Sequence, residues 1–131
     1  MTDDGLDEQI RVLAGDACEY CRLPQSASPL RFVLDHVIAR QHRGERVLPN
    51  LALACGRCNR HKGPNISGID PDTQVLTRLF HPRQDVWSQH FKWDEATLVG
   101  LTPIGRATVV VPAINDPSQI LVRQVFRQEL E

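Results

Sequence analysis

All four cysteines of the chain fall in two C-x-x-C pairs, Cys18/Cys21 and Cys55/Cys58, with 33 residues between them. A two-residue spacer lets both sulfurs of a pair reach one ion while nearby backbone N–H groups hydrogen-bond them. Four thiolates then complete the tetrahedral shell of a zinc ion. Two disulfides or two free buried pairs are the alternatives. Thiols are kept reduced in the cytoplasm, where such pairs more often bind metal. Neither pair sits in the strand-to-helix setting of a thioredoxin-type redox motif. A closed four-thiolate shell has no position for a substrate, so this zinc is expected to be structural. The cysteines therefore explain how the ends of the intervening segment are held, and any chemistry must come from other residues.

The chain has 131 residues, 41% of them hydrophobic and 24% charged, as in ordinary globular proteins. That length predicts one domain over 1–131, which gains stability from a metal staple. No run approaches the ~18 apolar residues that span a membrane. The N-terminal MTDDGLDEQ is acidic and lacks the basic-then-apolar pattern of a secretion signal. A cytoplasmic protein without membrane contact, taken as a monomer, is the expectation. The formal net charge is only −1, but between Arg31 and Lys62 seven basic residues face two acidic ones, Asp35 and Glu45. Charge alone allows a solvated face as readily as a nucleic-acid contact.

Between the cysteine pairs, Leu30, Phe32 and Leu34 alternate with Arg31, Val33 and Asp35, which predicts a strand running into Asp35-His36. The polar RQHRGER stretch reads as the loop of a long hairpin, and Leu51 to Ala54 as its return strand. NRHKGPN suits a short helix ended by Gly63-Pro64.

The ordered set Asp35-His36, Asn50-Leu51, Cys55-x-x-Cys58-Asn59-x-x-Lys62-Gly63 resembles the HNH endonucleases, in the branch stapled by four zinc-binding cysteines. The likeness in the motif runs from about Cys18 to Gly63, within a motif core of about 18–66. The downstream DPDTQVLTRLFHPRQDVWSQHFKW and GLTPIGRAT are similar to the tail of one bacterial subgroup, which leaves about 67–131 as a C-terminal extension. The resemblance implies a small α+β fold: a ββα-metal core clasped by zinc, with a C-terminal hairpin and helices. It implies His36 as the general base, Asn50 as the residue that holds the loop and orients that base, and Asp35 and Asn59 as ligands of a catalytic divalent ion. His61, two residues on from Asn59, is open as a substitute or additional ligand. Ala39 stands where many relatives carry proline.

The chemistry is consistent with these roles. A neutral imidazole with an ordinary pKa near ~6.5 can take a proton from water at cellular pH. A carboxylate and an amide oxygen are hard ligands suited to Mg²⁺ or Mn²⁺. Neighbours in a regular strand face opposite ways, so Asp35 and His36 should sit where the strand ends. Arg40, Arg57, Arg60, His61 and Lys62 are candidate phosphate contacts, since a nuclease that reads the backbone needs positive charge beside its cleavage site. Plainer roles compete: an arginine partner for Asp35, a buried structural place for His36, a turn for Asn50, a helix cap for Asn59. The reading favoured here is metal-dependent hydrolysis of DNA. Its rival is a catalytically silent, zinc-stabilised nucleic-acid-binding module.

Beyond residue 66, Leu79, Phe80, Trp87 and Phe91 are expected to pack inward, and Trp93 to be core rather than a stacking platform for bases. KWDEATLVGLT predicts a hairpin turning at Asp94-Glu95. Thr102-Pro103 predicts a helix start, with disturbance near Pro112. A last helix is expected from Pro117 or Ser118 to Leu130, carrying Ile120, Leu121, Val125 and Phe126.

Overall fold

The computed structural model describes residues 5–126. Helix α1 spans Leu6–Leu13. Leu6 and Ile10 of this helix and its C-cap Ala14 recur at one-turn spacing, and Ile10 and Ala14 are buried. Arg11, in its last turn, donates to the Phe32 carbonyl at 2.7 Å, which ties the helix to the segment entering the first strand. The first cysteine pair follows in a tight turn, where the Cys18 N–H bonds the Leu23 carbonyl at 2.9 Å and Arg22 takes a left-handed φ of 66°.

Strands β1 (Val33–His36) and β2 (Leu51–Ala54) form an antiparallel hairpin with Asp35 opposite Ala52 and His36 opposite Leu51. Every residue of β2 is buried, so this strand is the floor of the core. Helix α2 (Gly56–Lys62) begins inside the second cysteine pair: Cys55 is its N-cap and accepts the Cys58 N–H. Strand, return strand and short helix thus lie where the sequence predicts them. The start of α2 falls earlier than NRHKGPN suggests, because the knuckle is itself the first helical turn.

A second hairpin pairs β3 (Ser67–Ile69) with β4 (Leu76–Arg78), and after the short helix α3 (Trp87–His90) a third pairs β5 (Phe91–Asp94) with β6 (Thr97–Gly100). Asp94 faces Thr97, so the two-residue turn is Glu95-Ala96, one position later than expected. Leu79, Phe80 and Phe91 are buried, and Trp87 and Trp93 pack on the core, as expected of core side chains. Helix α4 (Pro103–Val110) starts at the Thr102 cap, whose hydroxyl accepts the Gly105 N–H at 3.0 Å, and it stops before Pro112. Helix α5 runs Pro117–Val125 from an Asp116 cap; the expected end at Leu130 lies outside the described residues. Its inward residue is Arg123, 1% exposed, while Leu121 and Val125 are 63% and 75% exposed. Arg123 is satisfied by the Ala96 and Ile114 carbonyls and the Asn115 side chain, each at 2.9 Å.

Among the described residues the result is an α+β architecture of helices and three two-stranded antiparallel sheets. No helix among the described residues is long and apolar enough to cross a membrane.

Candidate functional site

The sulfurs of Cys18, Cys21, Cys55 and Cys58 all lie within 4.8 Å of one another, and all four residues are buried. Cys21 Sγ and Cys55 Sγ, from different pairs, are 3.8 Å apart. Sulfurs at about 2.3 Å from a common tetrahedral centre have this spacing, so the donor set fits a zinc ion. The Cys21 and Cys58 N–H groups point to Cys18 Sγ at 3.5 Å and Cys55 Sγ at 3.4 Å. Each knuckle thus stabilises its own leading thiolate.

The two residues inside the first knuckle are also used. Glu19 exchanges bonds with Leu53 of β2: its N–H donates to the Leu53 carbonyl at 2.8 Å, and its carboxylate accepts the Leu53 N–H at 2.8 Å. Tyr20 is fully buried and donates its hydroxyl to Asp35 Oδ2 at 2.7 Å. The same oxygen is 3.3 Å from Lys62 Nζ, and Lys62, 1% exposed, also donates to the Val37 carbonyl at 3.2 Å. Tyrosine from the first cysteine pair and lysine from the end of α2 therefore converge on one oxygen of Asp35. Among the described residues nothing hydrogen-bonds Asp35 Oδ1. Burial raises the Asp35 pKa, with Lys62 and Tyr20 opposing.

Asp35, His36 and Asn59 line one open cleft of about 440 Å³, together with Arg40 and Gln41 from the hairpin loop and the Gly63-Pro64 end of α2. His36 is the last residue of β1, where the backbone leaves the ladder, which lets both neighbours reach the cleft. His36 Nε2 is buried and makes no hydrogen bond. Desolvation lowers the His36 pKa, Arg40, Arg46 and Lys62 lower it further, and Asp35 opposes. The imidazole is thus neutral at neutral pH. Asn59 sits within α2 rather than at its cap, its backbone N–H donates to the Cys55 carbonyl at 3.0 Å, and its side-chain amide bonds no other described residue. Asp35 and Asn59 bring a carboxylate and a side-chain amide, both hard oxygen donors, to one cleft, a set that fits a divalent ion with most of its coordination left to other oxygens.

Asn50 lies beneath the cleft's loop, and its side chain does not line the cleft. It accepts the Ile38 N–H at 2.9 Å and donates to the carbonyls of Ile38 at 3.0 Å and Glu45 at 2.9 Å. It is a latch that closes the 38–45 loop. Gly44 completes the latch, because a Cβ there would overlap the Ile38 carbonyl oxygen at 1.6 Å.

Two expected phosphate contacts are corrected. Lys62 is the buried partner of Asp35, and its ammonium is not available to a ligand at the surface. Arg57 turns toward the C-terminal segment and donates to the Pro112 and Ala113 carbonyls at 3.1 and 2.8 Å. Both belong to the basic stretch from Arg57 to Lys62, where Arg60 and His61 are exposed, and nothing in that stretch marks an inward turn. Arg40, Arg60 and His61 are exposed, but His61 does not line the cleft. Tyr20 went unnoticed in the sequence. The available signal was an aromatic hydroxyl between two metal-spaced cysteines, which needs a buried polar partner.

Residues 18–65 match the family model for HNH endonuclease. The match covers both cysteine pairs, the β1–β2 hairpin and α2, and it stops before β3. No curated protein and no solved structure matches the chain.

Proposed function

We infer that the chain, whose residues 18–65 form an HNH endonuclease segment, is a metal-dependent endonuclease that hydrolyses DNA phosphodiester bonds at the cleft of Asp35, His36 and Asn59. The observation that carries this reading is the convergence of three side chains from the end of β1 and the middle of α2 on one cleft. The base there is neutral, and the carboxylate is pinned through one oxygen only.

His36 is the group that accepts a proton from the attacking water, since its lowered pKa keeps the ring unprotonated at neutral pH. Asp35 and Asn59 hold a Mg²⁺ or Mn²⁺ ion, which when bound neutralises charge on the phosphate and on the leaving 3′ oxygen. Tyr20 and Lys62 orient the Asp35 carboxylate through Oδ2 and leave Oδ1 without a described partner. Asn50 fixes the loop that carries Arg40, and Arg40 and Arg60 supply positive charge for the strand being cut. The four cysteines hold a structural zinc that ties the Tyr20 turn to the start of α2.

A second reading has one observation in its favour. Lys62 already neutralises Asp35, which lessens the pull of that carboxylate on a divalent ion. In that case the cleft binds nucleic acid without cutting it. Supercoiled plasmid incubated with zinc-loaded protein separates the two. The nuclease reading expects nicked or linear product with added Mg²⁺ or Mn²⁺, none without them, and none from His36→Ala. An absence of metal-dependent product on any DNA substrate sinks it in favour of the silent module.

A further inference from the structure

We propose that a second cavity, on the side of the molecule formed by the first zinc knuckle and the 80–87 segment, is a binding site for a phosphate group. The cavity measures about 630 Å³ and is lined in part by Arg22, Arg83, Trp87, Glu19 and Asp85. Both carboxylates are already committed. Glu19 is held by the Leu53 N–H and by an ion pair with Arg83. Asp85 is held by Arg78 at 2.8 and 3.0 Å and by the His81 N–H at 2.8 Å.

The donors are not used up. Arg22 lies half-buried with its guanidinium 4.6 Å from the centre of the Trp87 ring, and no described carboxylate pairs with it. The Nε of Arg83 and the Nε1 of Trp87 are both buried without a hydrogen-bond partner. Among the described side chains only one further buried polar atom is orphaned, His36 Nε2 in the cleft already described. Orphaned buried polar groups are rare and call for an explanation. Arginine and the indole N–H donate only, so the complementary ligand is made of acceptors and carries negative charge. A phosphate group meets both demands, and guanidinium recognises it well. The volume is in the range of small-molecule sites and leaves room for the sugar or base attached to the phosphate. Leu48 and Pro49 form part of the wall, one residue from the Asn50 latch, so the site abuts the loop of the proposed catalytic cleft.

The phosphate can belong to a nucleic-acid strand or be free in solution, and one experiment distinguishes these without reading cleavage. The chain has two tryptophans, so ¹⁵N-labelled, zinc-loaded protein gives two indole N–H signals, and Trp87→Phe assigns them. The titrants are inorganic phosphate, a 5′-phosphorylated tetrathymidylate and the same oligonucleotide without its 5′-phosphate. A saturable shift of the Trp87 signal is expected. Response to the 5′-phosphorylated strand over the bare one assigns a terminal phosphate. Equal response to both assigns an internal phosphate, and response to inorganic phosphate alone assigns a free anion. Arg22→Met keeps the stem over the ring and should weaken binding about tenfold or more, the loss of one hydrogen bond to a charged group. Arg22→Lys should weaken it less. The absence of a saturable shift with all three titrants, or equal binding by Arg22→Met and the wild type, overturns the proposal.

Discussion

Asp35 meets Tyr20 and Lys62 through one oxygen, Oδ2, and neither of these two partners itself lines the cleft. Tyr20→Phe removes one donor from a buried carboxylate and should cost about 1–3 kcal/mol of stability. Zinc content should be unchanged, since all four sulfurs remain. The more telling effect is on the cleft: the Mn²⁺ concentration needed for half-maximal cleavage should change more than the rate at saturation, because Tyr20 acts on the orientation of a ligand. Paramagnetic-resonance titration of Mn²⁺ checks the binding half independently. Lys62→Met leaves a buried charge unpaired and should be the more damaging change, about 3–5 kcal/mol; chemical denaturation would show it. His36→Ala should keep zinc, fold and DNA binding and lower cleavage by about 10²- to 10⁴-fold, the usual loss for a general base. The ordered motif made Asp35, His36, Asn50 and Asn59 legible from sequence. It did not reveal that Lys62 is turned inward, because a lysine in KG after a run of exposed charges carries no local sign of burial.

At the scale of elements, the 38–45 loop is a long hairpin loop held by one side chain. Asn50→Ala breaks three hydrogen bonds and should cost about 1–3 kcal/mol. It should also increase amide exchange at Ile38 and the loop around it more than in β2, which hydrogen-exchange measurements resolve. The β3–β4 hairpin is anchored differently. Asp70 closes its loop, is fully covered, and takes two bonds of 2.9 Å from Arg106 of α4. This partner holds its carboxyl well below the usual carboxylate range. A depressed folded pKa stabilises above the unfolded value and is lost as pH falls through the folded one. Asp70→Asn should therefore be less stable than the wild type by a constant margin from neutral pH down to about pH 5. The margin should narrow below about pH 4, the unfolded carboxylate range. Denaturation curves at pH 3 to 7 test this; a margin that does not narrow contradicts it.

The elements that were legible are those specified locally. The β1–β2 hairpin has alternation and a polar loop, and α4 has a Thr-Pro start. The missed elements are set by distant partners. Strands β3 and β4 are three residues each, with Ile69 and Leu76 exposed, so no period-2 pattern marks them. They rest on α4 and on the Asp70–Arg106 pair, 36 residues apart in sequence. Helix α1 did carry a signal in Leu6, Ile10 and Ala14, masked by the acids between them. In α5 the apolar count pointed to Leu121 and Val125, yet Arg123 occupies the interior because three acceptors and the Trp93 ring receive its guanidinium.

For the whole molecule, the four-cysteine cluster joins the turn that carries Tyr20 to the helix that carries Asn59 and Lys62. Cys58→Ser should therefore lose the fold as well as the metal, since structural zinc binding is itself folding energy. Metal analysis should find about one zinc per chain. The central claim is that Asp35 and Asn59 hold the catalytic ion beside His36. The most direct test is the cleavage rate of zinc-loaded protein against Mn²⁺ concentration, for the wild type, Asp35→Asn and Asn59→Ala. Asparagine at position 35 retains the shape that Tyr20 and Lys62 grip. Both variants should need more Mn²⁺ than the wild type, with Asn59→Ala recovering further at high Mn²⁺ because its carboxylate remains. Three coincident curves, in a protein that does cleave, would contradict the assignment.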